Sequence, residues 1–244
     1  MSNLVIIPTY NESENIVDIV KAISALPVPF DVLVIDDNSP DGTATLVKEL
    51  QPSFPNLHLI ERPGKAGLGR AYIAGFEWAL QRDYKYICEM DADFSHDPAD
   101  LVRLYTACEK DGADLAIGSR YKSGVNVVNW PMGRVLMSYI ASIYVRVITG
   151  MNIKDTTAGF KCYRSEVIRN IDPGHIRSVG YGFQIEMKFS AWLLGYKIVE
   201  IPIIFTDRRA GTSKMSGGIF SEAMWGVVRM KIVSLFRKPR RIDA

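Results

Sequence analysis

A chain of 244 residues with 48% hydrophobic content is long enough to bury one sizeable α/β core, and no linker, repeat or low-complexity segment divides it. A formal net charge of +2 argues against general nucleic-acid affinity, although basic residues gather near the end as Arg237-Lys238-Pro239-Arg240-Arg241. Cys88, Cys108 and Cys162 lack metal-ligand spacing and read as reduced thiols in a cytoplasmic setting; with no signal peptide and no apolar run of the ~20 residues a bilayer requires, the expectation is a soluble or peripheral protein.

Residues 4–7 read as a short apolar strand ending at Pro8-Thr9-Tyr10-Asn11-Glu12, after which Ile16, Val20 and Ile23 recur at helical spacing. Residues 31–35 repeat the unit, with the turn-rich Asp36-Asp37-Asn38-Ser39-Pro40-Asp41-Gly42 before a helix over 43–51. A third strand, 57–60, leads through Arg62-Pro63-Gly64-Lys65-Ala66-Gly67-Leu68-Gly69-Arg70 into a helix over 71–81. The fourth strand, 84–90, runs into Asp91-Ala92-Asp93-Phe94-Ser95-His96 and then a helix over 98–110, with Asp97 as N-cap, Pro98 at N1 and Asp100 in the first turn. A fifth strand, 114–117, runs into Gly118-Ser119-Arg120-Tyr121. This alternation predicts a mostly parallel sheet with helices on both faces.

In such a sheet the loops after successive strands gather along one edge, here bringing Glu12, Asp37, Lys65, Arg70, Asp91 and Asp93 around a common cleft. Acidic side chains can accept hydrogen bonds from a base edge or a ribose, and Lys65 and Arg70 suit phosphates, so the cleft suits a nucleotide. Asp91 and Asp93, two positions apart at a strand end, can point to one side as hard oxygen ligands for magnesium or manganese, which zinc would fit poorly. Plainer roles compete: ordinary loop aspartates for this pair, turn caps for Asp36 and Asp41, a solvated face for Lys65 and Arg70. His96 could ligate metal or shape the loop, and the loop is the favoured reading. The glycine spacing at 64, 67 and 69 departs from the Gly-x-Gly-x-x-Gly fingerprint, which argues against hydride transfer.

The separated stretches Val5-Ile6-Ile7-Pro8-Thr9-Tyr10-Asn11-Glu12, Ile35 to Gly42 and Met90 to His96 resemble the family 2 glycosyltransferases. Gly118-Ser119-Arg120-Tyr121, Asn129-Trp130-Pro131 and Arg208-Arg209-Ala210-Gly211-Thr212-Ser213-Lys214 narrow the resemblance to the dolichol (polyprenol) phosphate mannose synthases. The resemblance implies a GT-A fold over residues 1–214, a GDP-mannose donor, a polyprenyl phosphate acceptor, a magnesium or manganese ion and inversion at the sugar carbon. It implies that Pro8, Tyr10, Glu12 and Asp37 line the guanosine pocket, with Lys65 and Ala92 also on the nucleotide sugar. Asp91 and Asp93 face the metal and diphosphate; Ser95, where related enzymes carry Gln, completes the implied metal set. Arg208 and Lys214 close over the donor phosphates, making Asp91, Asp93, Arg208 and Lys214 the implied catalytic set, while Arg120, Arg134 and Ser138 hold the acceptor phosphate. A lipid phosphate is already substantially ionised near neutrality, its second pKa being ~6, so no general base is assigned. Glu186, where other family 2 enzymes place a catalytic acid, is read as positioning loops or the acceptor.

Residues 130–150 form a broad apolar helix along which a lipid could lie, or which could be buried against the sheet. Residues 215–244 read as an amphipathic helix and basic tail suited to the cytoplasmic face of a bilayer, with core packing or a partner helix in competition. Peripheral attachment or a small membrane subunit is therefore expected. A transferase using UDP-glucose or another nucleotide sugar, and a nonenzymatic nucleotide-sugar-binding subunit, are the alternative functions.

Overall fold

The computed structural model describes residues 3–178, 180–207, 217–236 and 241. The expected opening units are present as β1 (Asn3–Thr9), α1 (Ile16–Ser24), β2 (Asp31–Asp36), α2 (Thr43–Leu50), β3 (Leu57–Glu61), α3 (Leu68–Leu80), β4 (Tyr86–Glu89), α4 (Asp100–Glu109) and β5 (Leu115–Ser119). The chain continues through β6 (Val127–Val128), α5 (Met132–Thr149), β7 (Lys161–Arg164), α6 (Ser165–Ile171), a 3-10 turn (Pro173–His175), α7 (Tyr181–Leu193), β8 (Ile198–Pro202), β9 (Phe205–Thr206) and α8 (Gly217–Phe236).

A seven-stranded sheet has the order β3-β2-β1-β4-β7-β5-β8, and β6 and β9 form a separate parallel pair. Within the large sheet β7 runs antiparallel to both neighbours, pairing Glu89 with Lys161 and Ile117 with Lys161. The other pairings are parallel, as the alternation predicted.

Strands β1, β2 and β5 are largely apolar because both faces of the sheet are covered. Leu4, Ile6, Leu33 and Ile35 pack with Tyr72, Phe76 and Phe183 on one face, whereas Val5, Ile7, Val32 and Val34 pack with Ile16, Ile19 and Leu104 on the other. Gly75 lets α3 press onto this sheet: a Cβ there would stand 2.7 Å from Ile6 Cγ2.

Several boundaries shift from the sequence expectation, among them the starts of α3, β4 and α4. Helix α4 starts at Asp100 rather than 98, because Asp97 first organises a turn, its Oδ1 accepting the Ala99 N–H at 2.9 Å and its carbonyl the Asp100 N–H at 3.0 Å. Of the two readings left open for residues 130–150, the structure has the uncovered one: in helix α5 Val145 and Thr149 face inward, while Leu136, Ile140, Ile143 and Val147 are exposed. Helix α8 lies beside it, with the Tyr144 hydroxyl donating to the Met224 carbonyl at 3.1 Å and Lys231 Nζ to the Thr149 carbonyl at 3.0 Å. Val227 joins α8 to the main core, and Arg241 donates to the Leu194 carbonyl at 3.0 Å. The remainder of the basic tail lies outside the described residues. Among the described residues no helix is long and apolar enough to cross a membrane.

Candidate active site

The loop between β4 and α4 is locked by its own side chains. Ser95 donates to Asp93 Oδ1 twice, through its N–H at 3.1 Å and its hydroxyl at 2.6 Å, which fixes the carboxylate. Between them Phe94 adopts φ +58°, a left-handed conformation costly for a bulky residue and tolerated because these bonds over-determine it. His96 Nδ1 faces the Asp91 N–H at 3.4 Å, its ring stacked on Phe160 with centroids 4.7 Å apart. Burial pushes the His96 pKa down to about 4, so the imidazole is neutral at pH 7 and its 4.0 Å approach to Asp91 Oδ2 is not an ion pair. The histidine shapes the loop, as expected.

Asp91 and Asp93 share a cavity of about 190 Å³ with Ser95, Arg120, Arg134 and Ser138. Arg120, from the end of β5, is held by the buried Asp155, which accepts its N–H at 2.9 Å, Nε at 2.8 Å and Nη2 at 2.6 Å. Burial works to raise the Asp155 pKa, but the charge and hydrogen bonds of Arg120 together with the charge of Lys188 outweigh it and leave the carboxyl below its ordinary range. Arg134, on the first turn of α5, lies over the Trp130 ring at 4.0 Å and ion-pairs with Asp207 at 3.0 Å. Ser138, one turn further, accepts the Tyr121 hydroxyl at 2.8 Å. Met137, Met224 and Val227 supply apolar wall on the side of α5 and α8.

Of the expected nucleotide residues, Tyr10, Glu12, Asp37 and Lys65 lie on the adjoining loops after β1, β2 and β3, outside the lining of that cavity. Lys65 Nζ lies 4.7 Å from the Tyr10 ring centroid. Asp37 meets Arg62 at 3.0 Å, a charge contact without hydrogen-bond alignment, and burial raises the Asp37 pKa against the opposing pull of Arg62. Glu12 accepts from Asn15 Nδ2 at 3.0 Å, Pro8 is half-buried in β1, and Ala92 is buried. Asp36 and Asp41 do cap turns: Asp36 accepts from Ser39 and Thr9, Asp41 from Thr43 and Ser13. Arg70 is exposed on α3. Arg208 and Lys214 lie outside the described residues.

Beneath the carboxylate pair lies a network that sequence reasoning missed. Buried Glu89 accepts the Tyr163 hydroxyl at 2.9 Å, Lys161 Nζ at 3.1 Å and Gln184 Nε2 at 2.8 Å, and Lys161 also donates to Gln184 Oε1. Burial lowers the Lys161 pKa, and Glu89 opposes that shift. Nearby, the buried Lys188 donates to the Ala158 carbonyl at 2.5 Å. The available signal was a lysine inside the otherwise apolar run Phe160-Lys161-Cys162-Tyr163. Glu186 oxygens accept the N–H groups of Arg177 at 3.3 Å and Ser178 at 2.9 Å, contacts that fit the first of the two roles read for it, positioning loops or the acceptor.

Two carboxylates on the cavity wall fit an oxygen-seeking divalent cation that takes its remaining ligands from substrate phosphate and water. The family model for glycosyl transferase family 2 matches residues 4–172. The chain is a family 2 glycosyltransferase. Polyprenol monophosphomannose synthase of Mycolicibacterium smegmatis is 49% identical over 230 residues, covering 94% of this chain and 86% of that protein. Undecaprenyl-phosphate mannosyltransferase of Micrococcus luteus is 48% identical, with 94% and 93% coverage. Among solved structures, glucosyl-3-phosphoglycerate synthase from Mycobacterium tuberculosis in complex with Mn2+, UDP-glucose and phosphoglyceric acid matches this glycosyltransferase with a TM-score of 0.69 at 15% identity, covering 94% of this chain and 79% of that one. The UDP complex of S. aureus TarS 1-349 has a TM-score of 0.64 at 18% identity, and the match covers 94% of this chain and 65% of that one. At those identities the likeness is one of fold, and the fold is GT-A-like, as the sequence led one to expect.

Proposed function

We propose that this glycosyltransferase moves mannose from GDP-mannose to a polyprenyl phosphate with inversion, using a magnesium or manganese ion held by Asp91 and Asp93. One observation carries the reading: the carboxylate pair and Arg120, Arg134 and Ser138 line the same cavity, so a cation-bound diphosphate and a second phosphate can meet there. The names of the two relatives, both near half identical, support mannose and a polyprenyl phosphate as the substrates.

The bound cation would neutralise the departing diphosphate. Tyr10, Glu12, Asp37 and Lys65, with Pro8 and Ala92, would hold the nucleotide on the adjoining loops, and Arg208 and Lys214 would meet its phosphates. Ser95 orients Asp93 through its hydroxyl, a supporting role that leaves the carboxylate as the ligand. Arg120 and Arg134 would fix the acceptor phosphate, whose oxygen is already anionic and attacks without a protein base. The neutral His96, turned to the Asp91 N–H, and Glu186, occupied by two backbone N–H groups, both agree with a mechanism resting on alignment.

The two helices that wall the cavity, α5 and α8, also carry exposed apolar side chains, among them Ile140, Val147, Trp225 and Phe236. That surface suits the polyprenyl chain and the cytoplasmic face of a membrane, with a small membrane subunit as another cover for it. Purified protein with magnesium, a short polyprenyl phosphate and either GDP-mannose or UDP-glucose, analysed by mass and chromatography, tests the proposal. Mannolipid from GDP-mannose is expected. Product from UDP-glucose alone would replace the donor, and nucleotide binding without product from either would favour a nonenzymatic subunit.

A further inference from the structure

Helix α3 brings a tyrosine up to the carboxylate pair from beneath the sheet edge. Phe76 packs edge-on against Tyr163, ring centroids 5.8 Å apart, and the Tyr163 hydroxyl donates to Glu89. Tyr72 stands one turn earlier in α3, a step of about 6 Å along the helix. Asp91 stands two residues beyond Glu89, a step of about 6.6 Å along the strand line, and strand alternation puts both on one face. That alternation holds here: Ile87 packs in the layer of α3, Cys88 and Met90 in the opposite one, and the ladder runs on past Glu89 with Met90 donating to the Ile6 carbonyl. Because α3 returns from the ligand edge to the start of β4, the two steps point the same way and bring Tyr72 level with Asp91. Leu68, one turn earlier again, lines the same cavity as Asp91.

The Tyr72 side chain is fully buried and its ring is fixed, lying parallel to Phe183 with centroids 5.8 Å apart and stacked on Phe76 at 6.3 Å. Its hydroxyl is shut off from solvent with no hydrogen bond closed. Burial, and then the charge of Asp91 ahead of that of Glu89, pushes the phenol pKa well up; Asp91 is also the acceptor side chain it faces, at a geometry short of a closed bond. A buried donor left in that state is costly. The stacked ring cannot turn to relieve it, whereas the Asp91 side chain, 38% exposed at the cavity, can.

We infer that Tyr72 is a positioning residue for the cation: when a divalent cation draws one Asp91 oxygen toward Asp93, the other closes a hydrogen bond with the Tyr72 hydroxyl. The inference rests on the cation reading of Asp91 and Asp93. Each carboxylate then has its own hydroxyl, Ser95 on Asp93 before the cation arrives and Tyr72 on Asp91 once it is bound. A phenol donating to a carboxylate away from water makes a strong, charge-assisted bond, so closing it adds to cation affinity. The unmet donor adds to it from the other side, since its cost falls on the cation-free protein alone.

The test is calorimetric titration of manganese into the full chain, with GDP in cell and syringe alike, joined to thermal melts of the same proteins without cation. Tyr72→Phe keeps the ring stack and removes the hydroxyl. It should bind manganese about 10- to 100-fold more weakly, the usual effect of losing a group that orients a metal ligand. Its cation-free thermal midpoint should equal or exceed that of wild type, because the orphaned donor is gone. A purely structural role would lower that midpoint together with the affinity. Manganese affinity equal to wild type, or a cation-free midpoint that falls with the affinity, overturns the inference, and the cation site stands where Asp91→Ala loses manganese. If Asp91→Ala binds manganese like wild type, or wild type binds none, the cation reading itself falls and the inference with it.

Discussion

Gln184 Nε2 donates to Glu89 Oε2 at 2.8 Å, tying α7 to the strand that delivers the carboxylate pair. With Lys161 bonded to both, three polar side chains form a closed triangle inside an apolar core. Lys161→Met should therefore destabilise the protein by about 3–5 kcal/mol, because Glu89 would keep a buried charge without its cation. Glu89→Gln combined with Lys161→Met should recover much of that loss in chemical denaturation; a strictly additive double variant would show that the two side chains are not coupled.

The Ser95 contact gives a graded prediction for activity. Asp93→Ala should abolish cation-dependent transfer while the thermal midpoint stays within a few degrees of wild type. Ser95→Ala should retain transfer but lower it by about 10- to 100-fold, the usual effect of losing a group that orients a metal ligand. Equal losses in the two variants, at saturating cation, would mean that Ser95 does more than orient Asp93.

The buried His96 makes stability depend on pH. Its folded pKa of about 4 lies below the ordinary 6.5, so the unfolded chain binds more protons between those values. The histidine's contribution is complete above pH 6.5 and is lost as pH falls toward about 4, amounting to about 3 kcal/mol across the window. Denaturation of wild type and His96→Asn between those limits should show a difference that shrinks on acidification, and a constant difference would contradict the assignment.

The apolar face of α5 and α8 predicts membrane association. Ile140→Asp with Val147→Asp should reduce sedimentation with anionic vesicles by about tenfold or more, since two exposed apolar side chains lose their burial in lipid. Circular dichroism should be unchanged, because neither side chain belongs to the core. Undiminished vesicle binding would assign that face to a protein partner.

The first five strands were legible because each is a short apolar run closed by turn residues, and the first four are followed by a helical period. Lys161 and Arg164 hid β7, whose lysine is satisfied by Glu89 from a distant part of the chain, a pairing no local pattern reveals. The same holds at the site. Asp91 and Asp93 announced themselves by spacing at a strand end, but the partner of Arg120 is Asp155, brought there by the reversed strand and the loop before it. The resemblance implied Ser95 as a third ligand; its hydrogen bonds to Asp93 emerge only in the folded loop. Arg208 and Lys214, equally visible as a motif, lie outside the described residues.

The reversal of β7 has a consequence for how the enzyme can diversify. Parallel strands deliver their following loops to the ligand edge, whereas β7 delivers the segment that precedes it, including Asp155 and Thr157. On the proposed reading, the donor side is thus wired by outgoing loops and part of the acceptor side by an incoming one. Lengthening or exchanging the stretch between α5 and β7 would remodel the acceptor wall without altering any crossover that builds the nucleotide side, so acceptor preference can be re-engineered as a cassette.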